Sequence, residues 1–165
     1  MRSRQALYFA ILAITAFVDA TASSPEGRDS GPVPKRSPHN TVSPNMKIRL
    51  TIDGHVIVAS LADNPTSKDF ASLLPLNITL SDYAATEKIS DLPRQLNTTG
   101  APSGYQPRNG DITYYAPWGN LALFHKDFRY SEGLIKLGSI DAGSGVLRKA
   151  GPLKVRIELA EAPPQ

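Results

Sequence analysis

Tyr114, Tyr115 and Trp118 fall within five residues of one another. Rings crowded in this way either cap a core or line a cleft. They bury large areas and leave the indole N–H seeking a partner. In an extended segment, alternation sends Tyr114 and Tyr115 to opposite faces. Trp118 follows Pro117 and precedes Gly119-Asn120, so it belongs to a turn at the rim of whatever sheet the strand enters. With Asn120 and Asn64 as polar contacts, Tyr115 and Trp118 form the candidate ligand-binding set. Such a set would take a small molecule or a peptide.

The remaining chemistry is sparse. His55 and His125 are the histidines of the region from Met46 onward, and His39 lies upstream. Their spacing is not that of a metal pair, and we expect no metal and no cofactor. Gly143-Ser144-Gly145 lacks the spacing of a nucleophile elbow and reads as a glycine-rich turn. Asp82 and Glu87 flank Tyr83; two carboxylates brought together by the fold can do acid–base work. Turns and a helix cap account for Asp53, Asp63 and Asp111. The chain has no cysteine, which excludes thiol nucleophiles, disulfides and thiolate metal sites. No residue is assigned a catalytic role.

The elements that must position these residues follow from periodicity. Residues 1–22 have the three parts of a secretory signal peptide: Arg2 and Arg4, the apolar run Leu7 to Val18, and the small-x-small site Ala20-Thr21-Ala22. The apolar run is about half the roughly 20 residues that cross a bilayer, so no stable membrane insertion is expected after cleavage. Removing the leader takes away Arg2, Arg4 and Asp19 and lowers the formal charge from +3 to +2. This near balance, with no Lys/Arg run, argues against nucleic acid as a partner. Residues 23–45 carry Pro25, Pro32, Pro34, Pro38 and Pro44 among Ser, Gly and charged residues, and read as a disordered, semi-extended linker.

From Met46, Ile48, Leu50 and Ile52 alternate with polar residues, the pattern of a half-buried strand. Asp53-Gly54 signals a tight hairpin. His55 to Leu61 is the partner strand, apolar on both faces and therefore expected to lie centrally. Asn64-Pro65 starts a helix of about ten residues that presents Phe70, Leu73 and Leu74 and stops at Pro75. Strands follow at Leu76 to Leu80, near Glu87 to Ile89, and at Asp111 to Ala116. Three more lie at Leu121 to His125, Leu134 to Ile140 and Leu153 to Leu159. Residues 97–110 read as a loop, and 161–165 as a disordered tail. About eight short strands with one helix point to a mainly β domain over 46–160. Closing such strands into an antiparallel barrel, with the first strand paired to the last, removes exposed edges.

Several segments also carry a family resemblance. They are Asp63-Asn64-Pro65-Thr66-Ser67 with Phe70 and Leu73-Leu74-Pro75-Leu76, and Asp82-Tyr83 with Glu87-Lys88-Ile89 and Leu92-Pro93. The most specific is Gly110-Asp111, then Tyr114-Tyr115-Ala116-Pro117-Trp118-Gly119-Asn120-Leu121-Ala122, continuing into Leu134-Ile135, Leu137-Gly138 and Ile140. Over residues 47–159 the chain resembles the bacterial cyclophilin-like fold family. The resemblance implies a small closed β-barrel like that of cyclophilins, and no activity with it. True cyclophilins are prolyl isomerases with a Phe-His-Arg motif on a strand. Here the nearest string is Phe124-His125-Lys126, with Arg129 further on, in a different context.

The leading expectation is thus an exported module, periplasmic or extracellular, that binds a small molecule or peptide in a cleft at the barrel rim. The alternative is a prolyl isomerase of extracytoplasmic proteins. It would have to lower a barrier of about 18–20 kcal/mol with a cation over the amide nitrogen, and Arg94 and Arg108 are the loop cations at hand. A third reading is an accessory domain tethered by residues 23–45 beside a partner protein. Export has a direct check: the mature chain, isolated from its host, should begin at Ser23 by N-terminal sequencing. A cytoplasmic chain that retains Met1 to Ala22 would refute it.

Overall fold

The alternation of Ile48, Leu50 and Ile52 survives in the fold because a closed sheet has only an inside and an outside. The computed structural model describes residues 46–160. The expected signal peptide, linker and tail, at 1–22, 23–45 and 161–165, lie outside the described residues. Strand β1 (Lys47–Ile52) turns through Asp53-Gly54 into β2 (His55–Leu61). Both turn residues have positive φ, 48° and 84°, as a two-residue hairpin requires. Next come helix α1 (Pro65–Ala71), β3 (Leu76–Tyr83), β4 (Glu87–Asp91) and a two-residue strand β5 (Gly104–Tyr105). They are followed by β6 (Asp111–Tyr115), β7 (Asn120–Phe124), the short β8 (Ser131–Glu132) and β9 (Leu134–Ile140). A 3-10 helix at Ser144–Arg148 leads into β10 (Leu153–Leu159).

Eight of the strands form a closed antiparallel barrel in the order β1-β10-β3-β4-β7-β6-β9-β2, and β5 pairs with β8 outside it. The first and last strands meet in the register Ile48↔Leu159 through Ile52↔Val155, as expected from their matching alternation. Ile48, Leu50 and Ile52 of β1 are fully buried. Around the barrel they meet Leu153, Val155 and Ile157 of β10, Leu80 of β3, Leu121 and Leu123 of β7, and Ile112 and Tyr114 of β6. Where β2 and β9 pair, the backbones come so close that a Cβ at Gly138 would collide with the Ser60 carbonyl.

Expectations change at β2, at the helix, and in the expected loop 97–110, where Gly104–Tyr105 forms β5. β2 does not lie centrally with both faces covered: Val56 and Val58 are exposed while Ile57, Ala59 and Leu61 are buried. A closed barrel has no central strand, and nothing among the described residues covers the outward half of β2. The helix spans seven residues rather than ten, and Leu73 and Leu74 pack against the core from the segment after it. Its start is as read from the sequence. Asn64 Oδ1 accepts from Ser67 N–H at 2.8 Å and Pro65 takes the first turn.

The two ends of the barrel are sealed differently. At the end where β6 finishes, Phe70 of α1 and Leu96 from the β4–β5 connection join the core, and Leu96 N–H donates to the Tyr114 hydroxyl at 3.1 Å. At the other end, Leu147 of the 3-10 helix enters the core and Lys88 is fully buried. Lys88 faces inward beside Leu123, and its ammonium finds three partners: the carbonyls of Lys149 and Gly151, each at 2.7 Å, and Asp82 Oδ1 at 2.6 Å. A buried ammonium persists only when its donors are satisfied in this way.

The inside-outside assignment has a simple test. Leu50→Ala should lower the unfolding free energy by about 2–5 kcal/mol, whereas Leu159→Ala, on the exposed end of β10, should stay within about 0.5 kcal/mol. Urea melts of both variants would decide it; equal costs would contradict the register.

Candidate functional site

The turn Ala116 to Gly119 delivers Trp118 to the outside of the barrel, where its side chain is 55% exposed. Trp118 caps no core, because Phe70 and Leu96 already fill that end. Its indole stands edge-on to Tyr115 of β6, with centroids 5.3 Å apart, and edge-on to Tyr83 of β3, at 5.6 Å. In the barrel β3 and β6 are separated by β4 and β7, so the three rings bridge the outer face of those two strands. Beneath and beside them lies a second, smaller apolar cluster on that face: Ala122, Phe124 and Leu134 are buried, with Ile89, Tyr105 and Phe128 packed against them.

The four residues expected to bind ligand are not one group. Tyr115 and Trp118 touch. Asn120 lies opposite Tyr115 in the β6–β7 register; it is buried, and its Oδ1 has no hydrogen-bond partner among the described residues. Asn64 is elsewhere. Its carbonyl caps α1 and its Nδ2 donates to Lys136 O at 3.1 Å, which ties the helix to β9. The sequence offered no sign of Tyr83 as a member, because its partners come from strands that are distant in the chain.

Glu87 shares this outer face, between Tyr83 and Phe124 in the register. Burial with no compensating charge pushes its carboxyl up to about 7. Asp111, on β6, shows the opposite balance. Burial would raise it, but Lys136 at 2.8 Å, the Arg108 N–H, the Tyr105 hydroxyl and Ser139 together hold it below the usual carboxylate range. That network fastens the loop bearing β5 to the barrel, with the Lys136 ammonium 5.5 Å from the Tyr105 ring centre.

Next to Tyr83 the surface dips into an open pocket of about 430 Å3 between the β3–β4 turn, the end of β7 and the 3-10 helix. His125 lines it. The imidazole is pushed below its ordinary value by burial and by Lys126, Lys88 and Arg148. Its Nδ1 is sealed from solvent and has no hydrogen-bond partner among the described residues. A larger depression of about 530 Å3 lies over the outer faces of β1, β10 and β3, among Thr51, Asn77, Thr79, Lys154 and Arg156, and holds no unpartnered buried polar atom.

The other candidates fall into structural roles. Arg94 is held by Asp69 through two hydrogen bonds, at 2.7 and 2.8 Å, and also reaches Ser72 and the Gln95 carbonyl. Arg129 lies over the Phe128 ring at 5.4 Å. Gly143 has φ 85° and begins the 3-10 helix rather than a hairpin turn. His55 is exposed at the start of β2, and His39 lies outside the described residues. Among the described residues no three His, Asp or Glu side chains gather as metal ligands. Nor is any described helix long and apolar enough to cross a membrane.

The model of the cyclophilin-like family matches residues 50–158. The chain belongs to that family. The match runs from within β1 to within β10 and takes in the aromatic turn and the His125 pocket. A hypothetical protein from Archaeoglobus fulgidus, known from its solution structure, shares the fold at a TM-score of 0.54 and 17% identity. The match covers 71% of this chain and 96% of that one. At that identity the likeness shows a common fold for the cyclophilin-like barrel and no shared chemistry. No curated protein matches the sequence.

Glu87 gives a pH signature. Between pH 4.5 and about 7 the folded chain keeps a proton that the unfolded chain has lost, so this residue's contribution to stability falls as pH rises through that window. Glu87→Gln should therefore leave stability unchanged near pH 4. At pH 8 it should raise it by on the order of 1–2 kcal/mol, discounted for solvent screening. Denaturant melts at the two pH values would show it; equal effects at both would refute it.

Proposed function

We propose that this cyclophilin-like chain is an exported binding module whose ligand, a small molecule or peptide, rests against Trp118, Tyr83 and Tyr115. One observation carries the reading. The indole is more than half exposed, yet it is oriented by edge contacts with two tyrosines from different strands. An exposed ring already held in one pose offers large contact area at little further entropic cost. Glu87, whose carboxyl burial pushes up to about 7, supplies a polar group on the same face. Export is supported by the order of charged, apolar and small residues in 1–22.

Trp118 is the only tryptophan of the chain and reports on its own surroundings. Titrating the full chain with a panel of aromatic small molecules and short peptides should give saturable changes in tryptophan emission for at least one chemical class. Tyr83→Ala or Tyr115→Ala should weaken that ligand about three- to tenfold, the worth of an aromatic pair. Emission indifferent to the whole panel would sink the reading.

A further inference from the structure

The pocket beside Tyr83 is lined by more cations than free carboxylates. Its acidic lining residue, Asp82, is already used: Oδ1 pairs with Lys88 at 2.6 Å and Oδ2 accepts from Gly151 N–H at 2.7 Å. Its two surface cations are not used. Neither Lys126 nor Arg148 has a carboxylate partner within salt-bridge distance among the described residues, although both line the pocket. His125 lines it too, with Nδ1 buried and without a hydrogen-bond partner among the described residues. Lys88 lies fully buried behind Asp82. The fixed charge around this space is therefore positive.

The pocket wall also stores backbone strain. Thr86 N–H donates to Tyr83 O at 3.2 Å to close the β3–β4 hairpin, and the two residues between, Ala84 and Ala85, both have positive φ, 48° and 56°. Each costs about 1–2 kcal/mol relative to a right-handed conformation, and Gly or Asn would relieve it. The chain instead places two methyl groups there, lining the same space as Tyr83. Strain of this kind, kept at a pocket, is a reason to look for a ligand. The volume, about 430 Å3, falls within the range of small-molecule sites.

We propose that this pocket takes the oxyanion of a small amphipathic acid, a carboxylate or a phosphate, whose aromatic or apolar part lies against Tyr83 and Trp118. Tyr83 joins the two halves, because it lines the pocket and packs against the indole. The inference rests on the reading of Trp118 as a ligand platform and adds to it the chemical class of the ligand.

The test uses four probes on the full chain: 2-naphthoate, 2-naphthyl phosphate, neutral 2-naphthol and inorganic phosphate. Tryptophan emission reads the platform, and the ring resonances of His125 read the pocket. We expect at least one of the two acids to quench Trp118 and shift His125, and naphthol to bind at least tenfold more weakly. Which acid wins identifies the anion. Lys126→Gln and Arg148→Gln, both at exposed positions, should each weaken the acid about tenfold, the worth of a charge-assisted hydrogen bond, and leave naphthol unchanged. Circular dichroism would establish that the variants fold. Acids and naphthol binding alike, with no effect of either variant, would overturn the anion pocket and leave the platform standing. Phosphate shifting His125 while no naphthalene touches Trp118 would overturn the platform and the bridge between the halves. Silence in both readouts would overturn both.

Discussion

Everything in this molecule depends on the pairing of β1 with β10, the strands that lie furthest apart in the described chain. Five register pairs from Ile48↔Leu159 to Ile52↔Val155 close the sheet on itself. Closure removes the free edges that an open sheet would present to other chains. It also divides every strand's residues between a small interior and an outer surface. The interior admits the alternate Ile, Leu and Val side chains of β1 and β10 together with Tyr114, and excludes everything bulky or polar that cannot find a partner inside. The cost of bringing such distant strands together grows only slowly with loop length, and the buried apolar area offsets it.

The site follows from what closure leaves outside. The inner face is full, so Tyr115, Trp118 and Tyr83 can meet only on the outer face of β4 and β7, between two strands that the barrel order makes near neighbours. That face is covered in part by the β5 and β8 loops, anchored by Asp111, and is left open toward Tyr83. At the barrel end beyond it, the needs of Lys88 settle the charge. Once Asp82 is drawn to the buried ammonium, the remaining pocket wall is neutral or cationic. One internal ion pair thus shapes the electrostatics of a surface pocket that neither of its atoms needs to touch a ligand to influence.

Much of the fold was legible in local pattern. The alternation of Ile48, Leu50 and Ile52, the Asp53-Gly54 hairpin, the Asn64-Pro65 helix start and the opposed faces of Tyr114 and Tyr115 all depend on residues within a few positions of each other. The hairpin at Ala84-Ala85 was not legible, since alanine gives no turn signal and the positive φ values are imposed by the register of β3 and β4. Of the proposed site, the sequence singled out only the sequential half, Tyr115, Trp118 and Asn120. Asn64 carries the same amide as Asn120, yet spends it on the first turn of α1.

Local side-chain sterics and periodicity therefore settled the eight barrel strands in outline, their order, and the alternation along β1. The residues of particular segments, Gly110-Asp111 and Tyr114 to Ala122 above all, carried the resemblance that the family match over residues 50–158 bears out. Which face was inside, and which strands became neighbours, was decided by closure. That decision put Trp118 on the surface rather than over the core, set Tyr83 against it over β4 and β7, and buried Lys88 behind Asp82. The physical reason is that these contacts join strands remote in sequence, whose pairing is chosen by burying the whole barrel interior at once and not by any one segment.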